Sequence, residues 1–443
     1  MSAPASVPHT RILLGLALGA AAGCGVNALF VEPGPPAVVP GWLKAVNANV
    51  AEPVGQVFLR LLFVTVVPLV FASLAVGVAQ IGSLGAVGRV GAKTLTYFLA
   101  TTAVAAVIGL ALVNAARPGD GLPPETVADL QARYAGDAAR KPKAEYTALT
   151  FVQSVVPSNP VRAAADLEML GIITFALLVG VGLTTLDRAK AELVTRFLEA
   201  VGELMVFIIT LAMRLAPYGV FCLIFATTSQ FGFGLLGLLG KYVGVVVVGL
   251  AIQGLIVLPL LVRVLGGIGP LTFFRKARAS VVTAFSTSSS NATLPTNIRT
   301  AEVEFGVPPR IAGFVLPVGA TMCMTGTALF EGVTVLFLAQ ALGVPLALGD
   351  QVLVVILCVL TAVGAAGVPG GSIPLLMLVL ETVGVPPGAI AIVLGVDRFL
   401  DMCRTTVNNV GDLSAVVVVA RSEAAVGGGQ PAVGSESEGH RLP

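Results

Sequence analysis

Residues 390–420 read I-A-I-V-L-G-V-D-R-F-L-D-M-C-R-T-T-V-N-N-V-G-D-L-S-A-V-V-V-V-A. The segment is apolar and long enough to cross a bilayer, yet a polar stripe runs through it. Asp397, Asp401, Arg404, Asn408 and Asp412 fall within an arc of roughly 80° when each residue turns the helix by about 100°. A charge in hydrocarbon costs on the order of 3 kcal/mol by insertion scales. Several on one face imply a polar interior path, with partners or a ligand to neutralise them, and we read the stripe as the wall of a solute site in a membrane protein. Arg404 offers a planar cationic fork suited to a carboxylate. Asp401, one turn away, suits an ammonium group, and Asn408 both donates and accepts. The alternative is a structural ion-pair lattice in which Asp397 and Asp401 simply neutralise Arg404. Asp412, beside Gly411, is a candidate ligand for a hard cation or a carboxylate snorkelling near the helix end.

The rest of the chain agrees with a membrane setting. Of its 443 residues 56% are hydrophobic and 11% charged, with mean hydropathy +0.94, against roughly 25% charged in soluble domains. The fold class expected is an all-α polytopic membrane protein. The net charge of +2 and the lack of basic runs with interleaved aromatics give no sign of a nucleic-acid partner. Cys24, Cys222, Cys323, Cys358 and Cys403 are scattered through apolar segments without metal-site or disulfide spacing. Both histidines, His9 and His440, lie in polar ends, so the apolar spans hold no imidazole for general-base work or zinc. Residues 88–94 miss a Walker A motif because no Gly directly precedes Lys93. With no G-x-S-x-G or H-E-x-x-H, the chain is not expected to be an enzyme, and no organic cofactor is expected.

Apolar runs predict helices near 12–30, 57–81, 93–116, 169–186, 197–228, 234–265, 310–342 and 388–420. The Lys/Arg bias of the short loops places those around Arg89, Arg188, Arg275 and Arg299 in the cytoplasm. On that count 270–300 and 350–384 each return to the side they entered from. Their centres are S-T-S-S-S-N-A-T-L-P (286–295) and G-A-A-G-V-P-G-G-S-I-P (364–374), and both read as re-entrant hairpins, whose irregular tips persist only inside protein or beside a cavity. The Ser-rich tip offers hydroxyls and a helix end to a carboxylate, and the Gly-rich tip offers close approach and a gate. Between them C-M-T-G-T (323–327) interrupts a helix, and we expect unwinding at Gly326. Hairpin–helix, hairpin–helix in two opposed copies is the signature of an inverted repeat, with binding at the interrupted segments. Arg60 and Arg214 read as snorkelling or packing charges. Glu331, a carboxylate in mid-helix, is able to take up a proton or to pair.

At these motifs, with L-P-V-G-A-T-M-C-M-T-G-T-A-L-F-E-G (316–332) and D-M-C-R-T-T-V-N-N-V-G-D (401–412), the chain resembles the dicarboxylate/amino acid:cation symporters, the glutamate transporter family, over about residues 10–422. The resemblance implies a homotrimer in the lipid of the inner (plasma) membrane with both termini cytoplasmic. Each subunit would have eight membrane helices, two re-entrant hairpins and a transport domain moving like an elevator against a scaffold. It divides the chain into N-terminal scaffold helices (1–80), a third helix of the transport domain (81–116), an external loop (117–146), further scaffold and transport-domain helices (147–265), a transport core (266–421) and a disordered cytoplasmic tail (422–443).

The resemblance also assigns roles by position. Arg404 would hold a substrate side-chain carboxylate and Asp401 its amino group. Asn408, Thr405, Thr327, Ser289 and Ser290 would complete the pocket, and Val368 to Ser372 would form the lid. Coupling ions, Na⁺ and/or H⁺, would take the place of a cofactor. Asp412, with Asn408, Gly319 and Met324, would serve one cation. Thr321 with Ala362, Val363 and Ala365 would serve another through backbone carbonyls. Thr101 and Thr102 would belong to a third, whose Asn and Asp are replaced here by Cys323 and Thr325. A sodium ion without its carboxylate loses its main compensation for dehydration. Glu331 would carry a proton. The implied function is import of glutamate or aspartate, coupled to fewer sodium ions with protons contributing. The alternatives are a C4-dicarboxylate symporter or an uncoupled anion channel or receptor.

Overall fold

In the computed structural model of the chain the described residues are 9–31, 39–82, 88–121, 127–128, 130–131, 157–165, 169–231, 233–365 and 367–426, and among them all regular structure is helical. The helices are α1 (His9–Phe30), α2 (Gly41–Val46), α3 (Glu52–Phe63), α4 (Val66–Gly82), α5 (Gly88–Ala116), α6 (Pro160–Ala165), α7 (Met169–Thr185), α8 (Arg188–Phe231), α9 (Phe233–Ala251) and α10 (Leu258–Leu261). After them come α11 (Pro270–Thr287), α12 (Ser290–Arg299), α13 (Pro309–Met322), α14 (Thr325–Ala341), α15 (Leu348–Gly364), α16 (Ile373–Thr382) and α17 (Leu394–Val426). Among the described residues four helical stretches are long and apolar enough to cross a membrane, 41–79, 89–116, 237–266 and 309–341, and a bent pair within α8 makes a fifth.

Proline decides where the long apolar runs break. The run expected as one helix over 57–81 loosens to a turn at Val64–Thr65, between α3 and α4, while 41–79 remains one stretch. Pro68 has no N–H for the Val64 carbonyl, and the Thr65 hydroxyl caps the first segment by donating to Leu62 O at 2.7 Å. The run expected over 197–228 extends from 188 to 231 and bends by 53° between Ala212 and Arg214. Pro217, one turn on, leaves the Met213 carbonyl without its helical donor. Arg60 and Arg214 are both exposed.

Close packing is set by glycine on α1. A Cβ at Gly15, Gly19 or Gly23 would meet α8 at 2.4 Å from Pro217 O, 2.7 Å from Phe221 O and 2.0 Å from Thr228 Oγ1 respectively. The four-residue spacing puts all three on one stripe, which lets the two backbones touch. Elsewhere α5 lies along α14, α4 along α7, and α11 along α17. Residues Thr325 to Ala339 of α14 are all buried, polar side chains included, which puts this helix at the centre of the core.

Both expected hairpins form as helix–turn–helix units. In the first, α11 and α12 run antiparallel, since Ser280 Oγ donates to Thr300 Oγ1 at 3.0 Å across a stem centred on Ser290. The turn is made by Ser288, left-handed at φ 49°, and extended Ser289. In the second, α15 ends at extended Ala365, and the tip turns through Gly370 at φ 75° into α16. The interruption in 310–342 lies at Cys323–Met324, where neither residue has helical torsions, and not at Gly326. Gly326 is helical and serves close approach, because a Cβ there would stand 2.6 Å from Arg404 O. At the C-terminus α17 continues to Val426, five residues into the stretch expected as a disordered tail. Residues 427–443 and most of the expected external loop lie outside the described residues.

Candidate functional site

Three irregular points of backbone meet on α17: the two hairpin tips and the gap between α13 and α14. Ser289 Oγ donates to Gly367 O at 2.7 Å, and Asn291 N–H donates to the same carbonyl at 3.1 Å. Ser289 also caps α12, accepting from Ala292 N–H at 3.2 Å. One short side chain thus starts a helix and joins the hairpins. Beneath this contact lies a cavity of only about 10 Å³, lined by Ser288, Ser290, Met324, Thr327, Gly367, Val368, Ser372, Asp401, Arg404, Thr405 and Asn408. That is room for one water. A cavity of about 440 Å³ lies elsewhere, at the C-terminal ends of α5 and α14. Its charges, Arg117 and Asp120, pair with each other, so it presents no spare cation, and the small site carries the chemistry.

The five polar residues of the stripe are all at least nine-tenths buried. Arg404 is fully engaged. Its Nε and Nη2 donate to Asp401 Oδ1 at 3.0 and 2.9 Å, its Nη1 donates to Asp397 Oδ1 at 3.2 Å, and its guanidinium lies 4.4 Å from the centre of the Phe330 ring. Asp401 Oδ2 accepts from Arg398 Nη1 at 3.0 Å and from the Gly370 N–H of the second tip at 3.3 Å. The ion-pair lattice is therefore present, and it is built from the residues read in the sequence as a solute wall. Asn408 fastens α14 to α17: its Oδ1 accepts from Gly326 N–H at 2.7 Å, and its Nδ2 donates to Thr327 Oγ1 at 3.2 Å. The Gly326 amide is in the first turn of α14 and has no partner within its own helix. Thr405 and Ser372 are buried at the cavity wall, where the Ser372 hydroxyl has no partner, and Val368 is half-buried on the tip. Ser290 accepts from Asn409 Nδ2 at 3.3 Å, and Asn409 Oδ1 accepts from Asn297 Nδ2 at 2.7 Å.

The expected cation positions differ in their donor sets. Asp412 is 1% exposed and neither of its oxygens has an N–H or O–H partner, the weakly donating Cys323 thiol facing it. Gly319 backs onto it so closely that a Cβ would stand 2.5 Å from Oδ1. A buried, unpartnered carboxylate against bare backbone fits a hard cation. Asn408 spends both ends of its amide on α14 and is not turned toward Asp412. The neighbouring set lacks a carboxylate and is hydrogen-bonded within itself. The Thr325 hydroxyl donates to Thr101 O at 3.1 Å, and Gln253 Nε2 donates to both, at 3.2 Å to Thr101 O and 3.0 Å to Thr325 Oγ1. No carboxylate stands here: the Gln253 amide turns its N–H donors onto Thr101 and Thr325, and its own Oε1 is buried with no partner. Thr102 Oγ1 is buried with no partner beside this set. Thr321 is exposed and turns its hydroxyl back to Val318 O at 3.1 Å. Ala362 and Ala365 are buried and Val363 half-buried on the hairpin arm, and it is Ala320 whose carbonyl lies against the second tip at Gly367. Glu331 is fully buried, and its Oε2 accepts from the Thr361 hydroxyl of α15 at 2.7 Å.

Three participants escape the stripe. Arg398 and Asn409 each sit one residue from a stripe position and so point about 100° away from it. Gln253 is a single amide in the apolar span 237–266. The signal available for Arg398 was its i,i+3 relation to Asp401.

Comparison with known proteins places these features. The family model described as the sodium:dicarboxylate symporter family matches residues 9–422. A proton/sodium-glutamate symport protein of Bacillus subtilis (strain 168) is 36% identical over 414 residues, covering 94% of this chain and 92% of that protein. A proton/glutamate-aspartate symporter of Escherichia coli (strain K12) is 35% identical over 376 residues, covering 85% and 86%. A C4-dicarboxylate transport protein of Rhizobium meliloti (strain 1021) is 31% identical over 395 residues, covering 88% of each. With a match that runs almost from end to end and takes in both hairpins, the broken helix and the charged stripe, the chain belongs to the sodium:dicarboxylate symporter family.

Proposed function

We propose that this chain is a secondary active symporter that imports an acidic amino acid, glutamate or aspartate, together with Na⁺, H⁺ or both. The observation that carries this reading is Arg404: a guanidinium 2% exposed, held at a cavity wall beneath two touching hairpin tips. Arg404 takes the substrate's side-chain carboxylate and Asp401 its ammonium. Thr405, Thr327, Asn408 and Ser290, which line the cavity, supply the remaining polar contacts, and Ser289 contributes through its tie between the two tips. A cavity of one water's volume does not hold an amino acid, so entry requires the Val368–Ser372 tip to withdraw and substrate to displace Arg404 from its aspartates.

Asp412 holds a coupling cation, and the chemistry that ion supplies is charge compensation. The Thr101, Thr102, Thr325 set does not hold one, and Glu331 exchanges a proton with Thr361 as its hydrogen-bond partner. In this reading the subunit is one of three in the plasma membrane, with both termini cytoplasmic. It has eight crossing helices, and residues 266–421 move as the core of an elevator. C4-dicarboxylates form a second substrate class, favoured by the way Arg398 already neutralises Asp401.

The test is uptake of labelled aspartate into proteoliposomes under an imposed sodium gradient, a proton gradient or neither. Concentrative uptake under either gradient supports the reading, and the gradient that suffices identifies the coupling ion. Equilibration without accumulation identifies a channel, and no uptake with tight binding identifies a receptor; both outcomes reject symport.

A further inference from the structure

We infer that Arg398 is a specificity-determining positioning residue, which lets this site take dicarboxylic acids without an α-ammonium group beside acidic amino acids. The inference rests on the reading of α17 as the substrate wall. Arg398 is 3% exposed and stands behind the cavity, whose lining includes Asp401 and Arg404 but not Arg398. It therefore acts through Asp401, whose Oδ2 it holds at 3.0 Å.

The charge pattern gives Arg398 its effect. Arg404 alone faces two carboxylates, Asp397 and Asp401. With those three groups the wall would be net negative, and a ligand would have to bring an ammonium to Asp401. A plain dicarboxylate would then set its second carboxylate against a buried one, and like charges in a site of low dielectric repel strongly. Arg398 adds the second cation, so two guanidiniums face two carboxylates. An amino acid still finds Asp401 as acceptor for its ammonium, while a dicarboxylate meets a neutral wall. The Gly370 N–H on Asp401 Oδ2 carries the same balance to the tip, because the carboxylate that Arg398 steadies is the one on which the second hairpin closes.

The experiment is competition against labelled aspartate on the purified protein, with unlabelled aspartate and succinate as competitors, in wild type, R398Q, R398K and D401N. The wild type is expected to bind both. R398Q should raise the ratio of the succinate to the aspartate inhibition constant by about tenfold or more, equivalent to about 1.4 kcal/mol of discrimination. R398K should bring the ratio most of the way back, and D401N should move it toward succinate. An unchanged ratio in R398Q, with both constants rising together, would mark Arg398 as structural and overturn the inference, as would a wild type indifferent to succinate or an R398K that fails to rescue. If R398Q does not accumulate, R398Q/D401N restores neutrality and must favour succinate relative to wild type; an unmoved ratio there also overturns the inference. A wild type that does not bind aspartate fails the functional reading itself, a different result from a wild type that binds aspartate with a ratio insensitive to Arg398.

Discussion

Gly326→Ala is expected to loosen the contact on which the site is built. An added Cβ would lie 2.6 Å from Arg404 O, 3.2 Å from Arg404 Cα and 3.1 Å from Asn408 Oδ1, where ordinary contact starts at 3.4 Å. The atoms in the way are mostly backbone, so α14 and α17 must part by roughly 0.8 Å. Overpacking of this kind costs about 1–3 kcal/mol. The same movement stretches the 2.7 Å bond from Gly326 N–H to Asn408 past the usual limit of about 3.2 Å, and an unmet buried N–H costs about 1–3 kcal/mol more. Against this stands the better helix propensity of alanine, about 1 kcal/mol. The net effect is a loss of about 3 kcal/mol, or about 6 °C in unfolding temperature at roughly 2 °C per kcal/mol. Gly313 provides the control, for it is exposed in the middle of α13 with nothing within 4 Å of a Cβ. Gly313→Ala should therefore gain up to about 1 kcal/mol. The assay is thermal unfolding of the two purified variants in one detergent, with aspartate binding measured in parallel. If Gly326→Ala matches Gly313→Ala in stability and binds aspartate as the wild type does, the α14–α17 contact is not tight and the role given to Asn408 fails.

Asp412→Asn should abolish most of the sodium response, lowering apparent sodium affinity in aspartate binding by about tenfold or more; an unchanged sodium titration counts against a cation at that carboxylate. Cys323→Asn with Thr325→Asp should increase sodium dependence, and a sodium titration of uptake that matches the wild type would show that the Thr101–Gln253–Thr325 network does not decide coupling. Ser289→Ala removes a helix cap worth about 1 kcal/mol and the tie to Gly367, so a cysteine at Val368 in a background without the native cysteines should react several-fold faster with a water-soluble thiol reagent; equal rates refute the tie as a latch. Beyond the apolar part of α17, hydrogen bonds from Arg89 and Lys93 hold Glu423 down to about 2 from 4.5. Its contribution to stability is therefore present above about pH 4.5 and lost as pH falls toward 2, and Glu423→Gln should flatten the acid side of the stability profile. The effect is small because Arg89 is largely exposed, and an acid limb identical in the two proteins would remove it.

The sequence carries the site more fully than it carries the fold around it. A stripe of period 3.6 stands out on α17 because its surroundings are apolar. The hairpins are readable because Ser- and Gly-rich centres interrupt apolar segments, and each segment forms a helix–turn–helix unit. The breaks at Val64–Thr65 and Met213 are harder to read, since a proline in an apolar run signals a lost donor without saying whether the helix kinks or absorbs it. Gly326 shows a different limit. Glycine permits unwinding and close approach equally, and only the position of Arg404 O on another helix decides between them. Cys323 and Thr325 are visible in sequence as departures, but Gln253, which fills their neighbourhood with donors, becomes meaningful only when α9's extension is packed against α5 and α14.

Charge balance along α17 links the two ends of the site. At one end Arg398 and Arg404 offset Asp397 and Asp401. Four residues beyond Asn408, Asp412 is buried with no cationic partner. These groups together carry one excess negative charge, and two if Glu331 is ionised. An acidic amino acid adds one more. A unit with two or three uncompensated charges would be costly to move through a bilayer, where even one charge at the centre costs on the order of 3 kcal/mol. In the symport proposed above, neutrality asks for two or three monovalent cations with each substrate, counting protons, and Asp412 and Glu331 are the groups proposed to receive them. Sodium and protons are interchangeable in this account as far as charge goes. What separates them is whether each site offers a shell of oxygens or a lone carboxylate. Asp412, against the bare backbone of Gly319, suits a metal ion. Glu331, with one oxygen on the Thr361 hydroxyl and the other unpartnered, suits a proton.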